Sequence, residues 1–289
     1  MSGYKNFAVV GAGTLGKFII DELLKEKAAG KIDKVVVLTR SVNGNDALAE
    51  KGAKPIVVDY ASSTSLQSAL HGIDVVISTI SGLAIAVQEP LSDAAKAVGV
   101  KLFVPSEYAG DTINRTEEGP VFGPKNELRK HLEQIGLPWA VFFTGPFSDW
   151  ILYQPFLGFD IGNGKVEVSG TGDGVVSWTS RIDIARYVVY ATTVLPPSKL
   201  HNRVFKIEGE RTSMNKVLAE YQVRTGKKVE ITYLPLEEVE AKAKAGDIKS
   251  ILQLVFELYG EYGTEEEMNV DWPDFNPETV VDAILSYKA

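Results

Sequence analysis

The chain has 289 residues, no cysteine and a formal net charge of -8. That length supports one large α/β domain or a domain with an appended lobe, and the missing thiols exclude disulfides, thiolate metal sites and cysteine nucleophiles. The acidic balance disfavours nucleic acid and anionic membranes, so a small molecule is the expected partner; without a signal-peptide pattern or an apolar run of membrane length, the expected compartment is the cytoplasm.

In chain order, NFAVVG reads as a first strand that feeds directly into GAGTLG and the helical KFIIDELLKE. Gly11, Gly13 and Gly16 fit G-x-G-x-x-G, in which glycines allow a tight turn, close approach of backbone to a pyrophosphate and close packing of helix on strand. Ala12, Thr14 and Leu15 complete that turn, and the helix behind it offers amide donors and a partial positive charge to a dinucleotide. The second strand, KVVVLTR, ends at Leu38-Thr39-Arg40-Ser41. An NAD site usually carries Asp or Glu at this strand end; the position here is neutral and Arg40 follows, a permanently charged group that can hold two oxygens of a 2′-phosphate. NADPH is therefore the expected cofactor.

PIVVD brings Asp59 toward the adenine, although a strand-end Asp serves equally well as a helix cap or turn former. DVVIST delivers Ser78, Thr79 and Ile80 to the cofactor edge, because ligands of open α/β sheets bind beyond the carboxyl ends of the strands. KLFVPS and PWAVFFTG continue the series. Amphipathic segments between most of these strands predict a Rossmann-type doubly wound parallel sheet covered by helices on both faces.

Before the last of these strands lies FGPKNELRKHLEQIG, residues 122 to 136, a helix opened by Gly123-Pro124 and closed by Gly136. Leu128 and Leu132 mark its apolar face, and Lys125 shares that face. Burial and the positive end of the helix dipole both disfavour an ammonium there. Spacing leaves three readings open: Lys125 exchanges protons near neutral pH, snorkels to solvent, or hydrogen-bonds the cofactor ribose. Glu107 and Asp111, in SEYAGD, read as loop-shaping acceptors.

Beyond residue 150 the rhythm loosens into short strands and loops rich in glycine and aromatics, followed by the helix RIDIARYVVYATT, the strand RVFKIEG, the helix SMNKVLAEYQVRTG, the strand KVEITYL and further helices. The expected division is a Rossmann domain over residues 1–155 and a smaller α+β substrate lobe over 156–289, with about 176–198 returning to the first domain. Phe143, Phe147, Trp150, Tyr153, Phe156 and Trp178 are candidates to wall an aromatic pocket. The acidic ELYGEYGTEEEMNVDW reads as a solvated face.

The three histidines are dispersed, without metal-ligand spacing, and no G-x-S-x-G elbow is present. None of the eleven tyrosines has Lys four residues later, so the acid-base pair usual in short-chain dehydrogenases is missing.

Taken together, GAGTLGK, LTRS, DVVISTISG, KLFVPSEYAGD, the K-x-x-L-R-K-x-L-E-x-x-G-L-P-W-A segment beginning at Lys125, RIDIARYV and the terminal DWPDFNPETVVDAILSY resemble the NmrA-like and isoflavone-reductase-like group of atypical short-chain dehydrogenases. The resemblance runs through essentially the whole chain. It implies an NADPH-dependent reductase of an aromatic, phenylpropanoid-like or isoflavonoid-like molecule, with Lys125 beside the nicotinamide as general acid-base residue. The same group contains redox-sensing regulators that bind NADP(H) without turnover and signal to a protein partner. One departure stands out: GAGTLGK replaces the G-x-T-G-x-x-G of many relatives, while the arginine after the second strand is retained.

Overall fold

The computed structural model describes residues 3–80, 82–114 and 122–286. The first strand, β1 (Asn6–Val10), has buried side chains from Phe7 to Val10, a run that needs cover on both faces and so belongs inside a parallel sheet. The chain continues through α1 (Gly16–Ala28), β2 (Lys34–Thr39), α2 (Asn45–Glu50), β3 (Lys54–Val57), α3 (Ser63–Leu70), β4 (Val75–Ser78), α4 (Gln88–Ala97), β5 (Leu102–Val104), α5 (Gly123–Gln134) and β6 (Ala140–Phe143). The five strands β1 to β5 form one parallel sheet in the order β3-β2-β1-β4-β5. A parallel bridge between Phe103 and Trp139 places the start of the β6 segment next to β5. This is the Rossmann-type architecture that the alternating pattern implies.

The direction of strand addition reverses between β1 and β4, and such a reversal opens a crevice at the carboxyl ends of the strands. The turn after β1 therefore lies where this class of sheet binds ligands.

By internal contacts the chain forms two units. One comprises Met1–Glu107, Thr112–Phe142 and Ala185–Phe205; the other comprises Tyr108–Asp111, Phe143–Ile184 and Lys206–Ala289. The chain switches unit within one helix, α6 (Arg181–Val194).

The second unit is α+β in character. β7 (Phe159–Asp160) and β8 (Lys165–Ser169) are antiparallel, and β9 (Val175–Trp178) pairs antiparallel with Glu210–Ser213. Glu230–Leu234 runs parallel to β8 on its other side. Trp178, Phe159, Phe256, Leu218 and Val281 meet in its core, with the Trp178 and Phe256 rings 5.3 Å apart. No helix among the described residues is long and apolar enough to cross a membrane.

Candidate functional site

The glycine turn is built around its first and last glycines. Gly11 has φ +97°, a backbone state that L side chains rarely adopt. Gly16, the first residue of α1, faces the Gly11 carbonyl so closely that a Cβ would overlap it, and that Cβ would also lie 2.7 Å from Thr79 Oγ1. Gly13 differs, because a Cβ there would meet no protein atom within 4 Å. Open space at Gly13 fits a position kept bare for a ligand instead of for packing.

Helix α1 begins after Leu15 without a side-chain cap and without an acidic residue in its first turn. The Lys17 and Phe18 amides donate to the Gly13 and Leu15 carbonyls, and the partial positive charge of the helix N-terminus is offset by no acidic side chain in that turn. Leu15 is buried, while Ala12 and Thr14 are exposed on the turn. These features fit a dinucleotide pyrophosphate.

At the end of β4, Ser78 is fully buried. Thr79 donates its hydroxyl to the Gly11 carbonyl (2.9 Å), with a longer approach to the Val10 carbonyl (3.2 Å). That hydroxyl shapes the turn. Ile80 is half-buried at the same edge.

Arg40 follows β2 with an exposed side chain. Near it lies Tyr60, half-buried, whose phenol is pushed up to about 12 by burial while the Arg40 charge pulls it back. Asp59 is exposed, and its carboxylate accepts from the Ala61 amide at 2.9 Å while its own amide donates to Ser65 Oγ at 3.1 Å. These contacts shape the turn into α3. Lys51, another base near this edge, pairs with Asp21 at 2.8 Å.

Beyond β5 the chain is held by Gln88, a 1% exposed residue at the start of α4, which accepts the Ser106 amide at 2.9 Å. Glu107 comes next and is 1% exposed. Because Glu107 lies three residues after the last residue of β5, it stays within about 11 Å of the sheet's carboxyl edge. Its Oε2 accepts from Thr112 Oγ1 at 3.0 Å and faces Lys125 Nζ at 3.7 Å.

Lys125 is in the first turn of α5, where Pro124 opens the helix, and its side chain keeps 14% exposure beside the buried Leu128 and Leu132. The inward face expected from the leucine spacing is the one observed. At 3.7 Å the Glu107 contact is an ion pair without a hydrogen bond. Burial pushes the Lys125 amine below its ordinary range, and the Glu107 charge opposes that push.

The aromatic candidates divide sharply. Trp178 is a correction: it is 0% exposed in the core of the second unit, and its Nε1 donates to the Thr212 carbonyl at 3.2 Å. Its faces are taken by packing, as the largest apolar side chain of that core. Phe143, 1% exposed, is likewise internal and meets Tyr262 edge-on at 6.4 Å. Tyr153 is half-buried, and its hydroxyl donates to the Ile284 carbonyl at 3.2 Å. Phe147 and Trp150 keep partial exposure with rings 6.4 Å apart, and Phe156 is 63% exposed.

The sequence reading missed Glu107 as a partner of Lys125 and Tyr60 as a neighbour of Arg40. Each follows a strand end by a few residues, which was the available signal. Their meeting with residues from elsewhere in the chain has no local signature.

A glycine turn at the reversal of strand order, leading into an uncapped helix, belongs to the Rossmann-type nucleotide-binding proteins. The NmrA-like family model matches residues 4–283, and the chain belongs to that family. Isoflavone reductase homolog P3 of Arabidopsis thaliana is 28% identical, covering 99% of this chain and 98% of the relative. Oxidoreductase aprR of Aspergillus flavus is 33% identical over 63% of this chain and 62% of its own length. Among solved structures, one from work on pinoresinol-lariciresinol and phenylcoumaran benzylic ether reductases has a TM-score of 0.82 at 22% identity, covering 98% and 100% of the two chains. A leucoanthocyanidin reductase–NADPH complex from Vitis vinifera has a TM-score of 0.80 at 19% identity, covering 98% and 99%. These structures share the fold.

Proposed function

We propose that this protein is an NADPH-dependent reductase of a small aromatic molecule of phenylpropanoid or isoflavonoid type, with Lys125 as general acid-base residue. The observation that carries the reading is the Lys125 amine, withdrawn from water on the face of α5 that meets the carboxyl-edge residue Glu107. The names of the relatives, reductases and an oxidoreductase, support the reaction class.

NADPH, when bound, supplies the hydride. The bare Gly13 position and the N-terminal end of α1 would hold its pyrophosphate, and Arg40 would hold the 2′-phosphate. Lys125 delivers or removes the proton that accompanies hydride transfer, a task favoured by an amine whose proton affinity burial has lowered. Of the aromatic candidates, Phe147, Trp150, Tyr153 and Phe156 keep surface that a ring-bearing substrate can use.

The test is a stereospecific hydride-transfer assay with deuterated NADPH against a panel of aromatic enones and benzylic ethers, comparing wild type with Lys125→Ala. Transfer by the wild type that the substitution abolishes, with NADPH affinity retained, supports the reductase. Tight NADPH binding with no transfer to any member of the panel favours a redox sensor acting through a protein partner.

A further inference from the structure

We infer that Glu107 is a positioning residue for Lys125: its buried carboxylate is the counter-charge that fixes the lysine ammonium at the head of α5. The inference deepens the reductase reading and rests on it for the catalytic role of Lys125, although the pairing itself is a property of the folded chain.

Other carboxylates in this protein show what loop-shaping looks like. Glu257 accepts from the backbone amides of Thr171 and Gly172, at 2.8 and 3.0 Å, and reaches that of Gly174 at 3.4 Å. Asp74 accepts the amides of Lys5 and Asn6, both at 2.9 Å. Glu107 is arranged differently. Its one hydrogen-bond donor among the described residues is the Thr112 hydroxyl, and Oε1 is buried without a partner.

A carboxylate removed from water in this way needs cationic compensation, and α5 provides it twice. Lys125 faces it at 3.7 Å, and Arg129, one turn later on the same helix, also acts on it. Where α5 meets α4, His131 and Asp93 occupy one another at 2.7 Å and leave this arrangement alone. Burial pushes the Glu107 carboxyl above its ordinary range, opposed by the Lys125 charge, the Thr112 hydroxyl and Arg129. An ionised Glu107 and a charged Lys125 thus stabilise each other in a site that penalises either alone.

The ionic pair has a consequence of definite sign. Removing the carboxylate charge should make Lys125 lose its proton more readily.

The experiment is competitive labelling of the full-length protein with acetic anhydride across pH 6 to 11, resolved by peptide mass spectrometry. The exposed Lys101 serves as an internal control, and the readout requires no substrate. Glu107→Gln should move the labelling midpoint of Lys125 down by roughly one pH unit or more. Glu107→Asp, which keeps the charge but withdraws it, should recover part of the shift. A Lys125 midpoint that stays in place or rises in Glu107→Gln overturns the proposal. If that variant does not fold, a Lys125 midpoint in Glu107→Asp that does not fall below the wild-type value overturns it instead. Hydride transfer that survives Lys125→Ala while these shifts are observed would refute the catalytic reading of the lysine and leave the pairing established.

Discussion

Thr79 Oγ1 lies 2.9 Å from the Gly11 carbonyl oxygen and ties the end of β4 to the turn that follows β1. Gly16 packs against the same carbonyl, so two glycines five residues apart and a threonine from a distant strand end fix the shape of one loop. Two glycines of the motif therefore serve the protein, while a side chain at the third, Gly13, would meet open space.

That division predicts opposite phenotypes within one motif. Gly16→Ala drives a methyl group into the Gly11 carbonyl and should destabilise the protein by about 1–3 kcal/mol, read as a lowered denaturant midpoint. Gly13→Ala should leave the midpoint unchanged and weaken NADPH by about tenfold in a fluorescence titration, equivalent to roughly 1.4 kcal/mol. Loss of stability in Gly13→Ala would contradict the assignment.

Arg40 is exposed and near Tyr60, so its removal should disturb the fold little. Arg40→Ala should weaken NADPH by about 1.5–3 kcal/mol, the range for hydrogen bonds to charged groups, while NADH affinity changes by no more than about twofold. Parallel calorimetric titrations of the two cofactors check this; equal losses would remove Arg40 from the 2′-phosphate site.

Lys125→Met retains the apolar stem and deletes the amine. Hydride transfer should fall by about 10²–10⁴-fold with NADPH dissociation nearly unchanged. Because burial lowers the proton affinity of Lys125, a reaction that needs its ammonium should decline as pH rises through a value below the ordinary amine range. A wild-type pH–rate profile whose alkaline limb persists in Lys125→Met would show that another group gives rise to it.

Asp74, at the foot of the sheet, accepts the Lys5 and Asn6 amides and pairs with Lys101 at 2.7 Å. Burial acts to raise its carboxyl, but the Lys101 contact and the two amides outweigh burial and hold it below the ordinary range. A carboxyl that titrates lower folded than unfolded contributes its full stability above the unfolded value and loses it as pH falls through the folded one. Asp74→Asn should therefore cost about 1–2 kcal/mol at pH 7, a modest figure because Lys101 is solvated, and the gap to wild type should close in strong acid. Urea melts at pH 7 and pH 3 measure both effects.

Trp178 is a core residue, and Trp178→Ala should cost about 3–5 kcal/mol. Trp178→Phe should lose part of that and leave NADPH affinity intact. A variant with native stability and lost substrate turnover would return Trp178 to the pocket wall.

The parallel sheet, the glycine turn, Arg40 after the second strand and the inward face of α5 were all legible from the sequence, because each depends on the order and period of neighbouring residues. A strand followed by glycines and an amphipathic helix constrains local geometry wherever the chain goes next. The tertiary structure decided what long-range contact and packing control. It turned Thr79 into a brace for the glycine turn and withdrew Trp178 into a core. It also brought Glu107 to Lys125 across 18 residues of chain, a meeting that burial makes strong and that no local pattern announces.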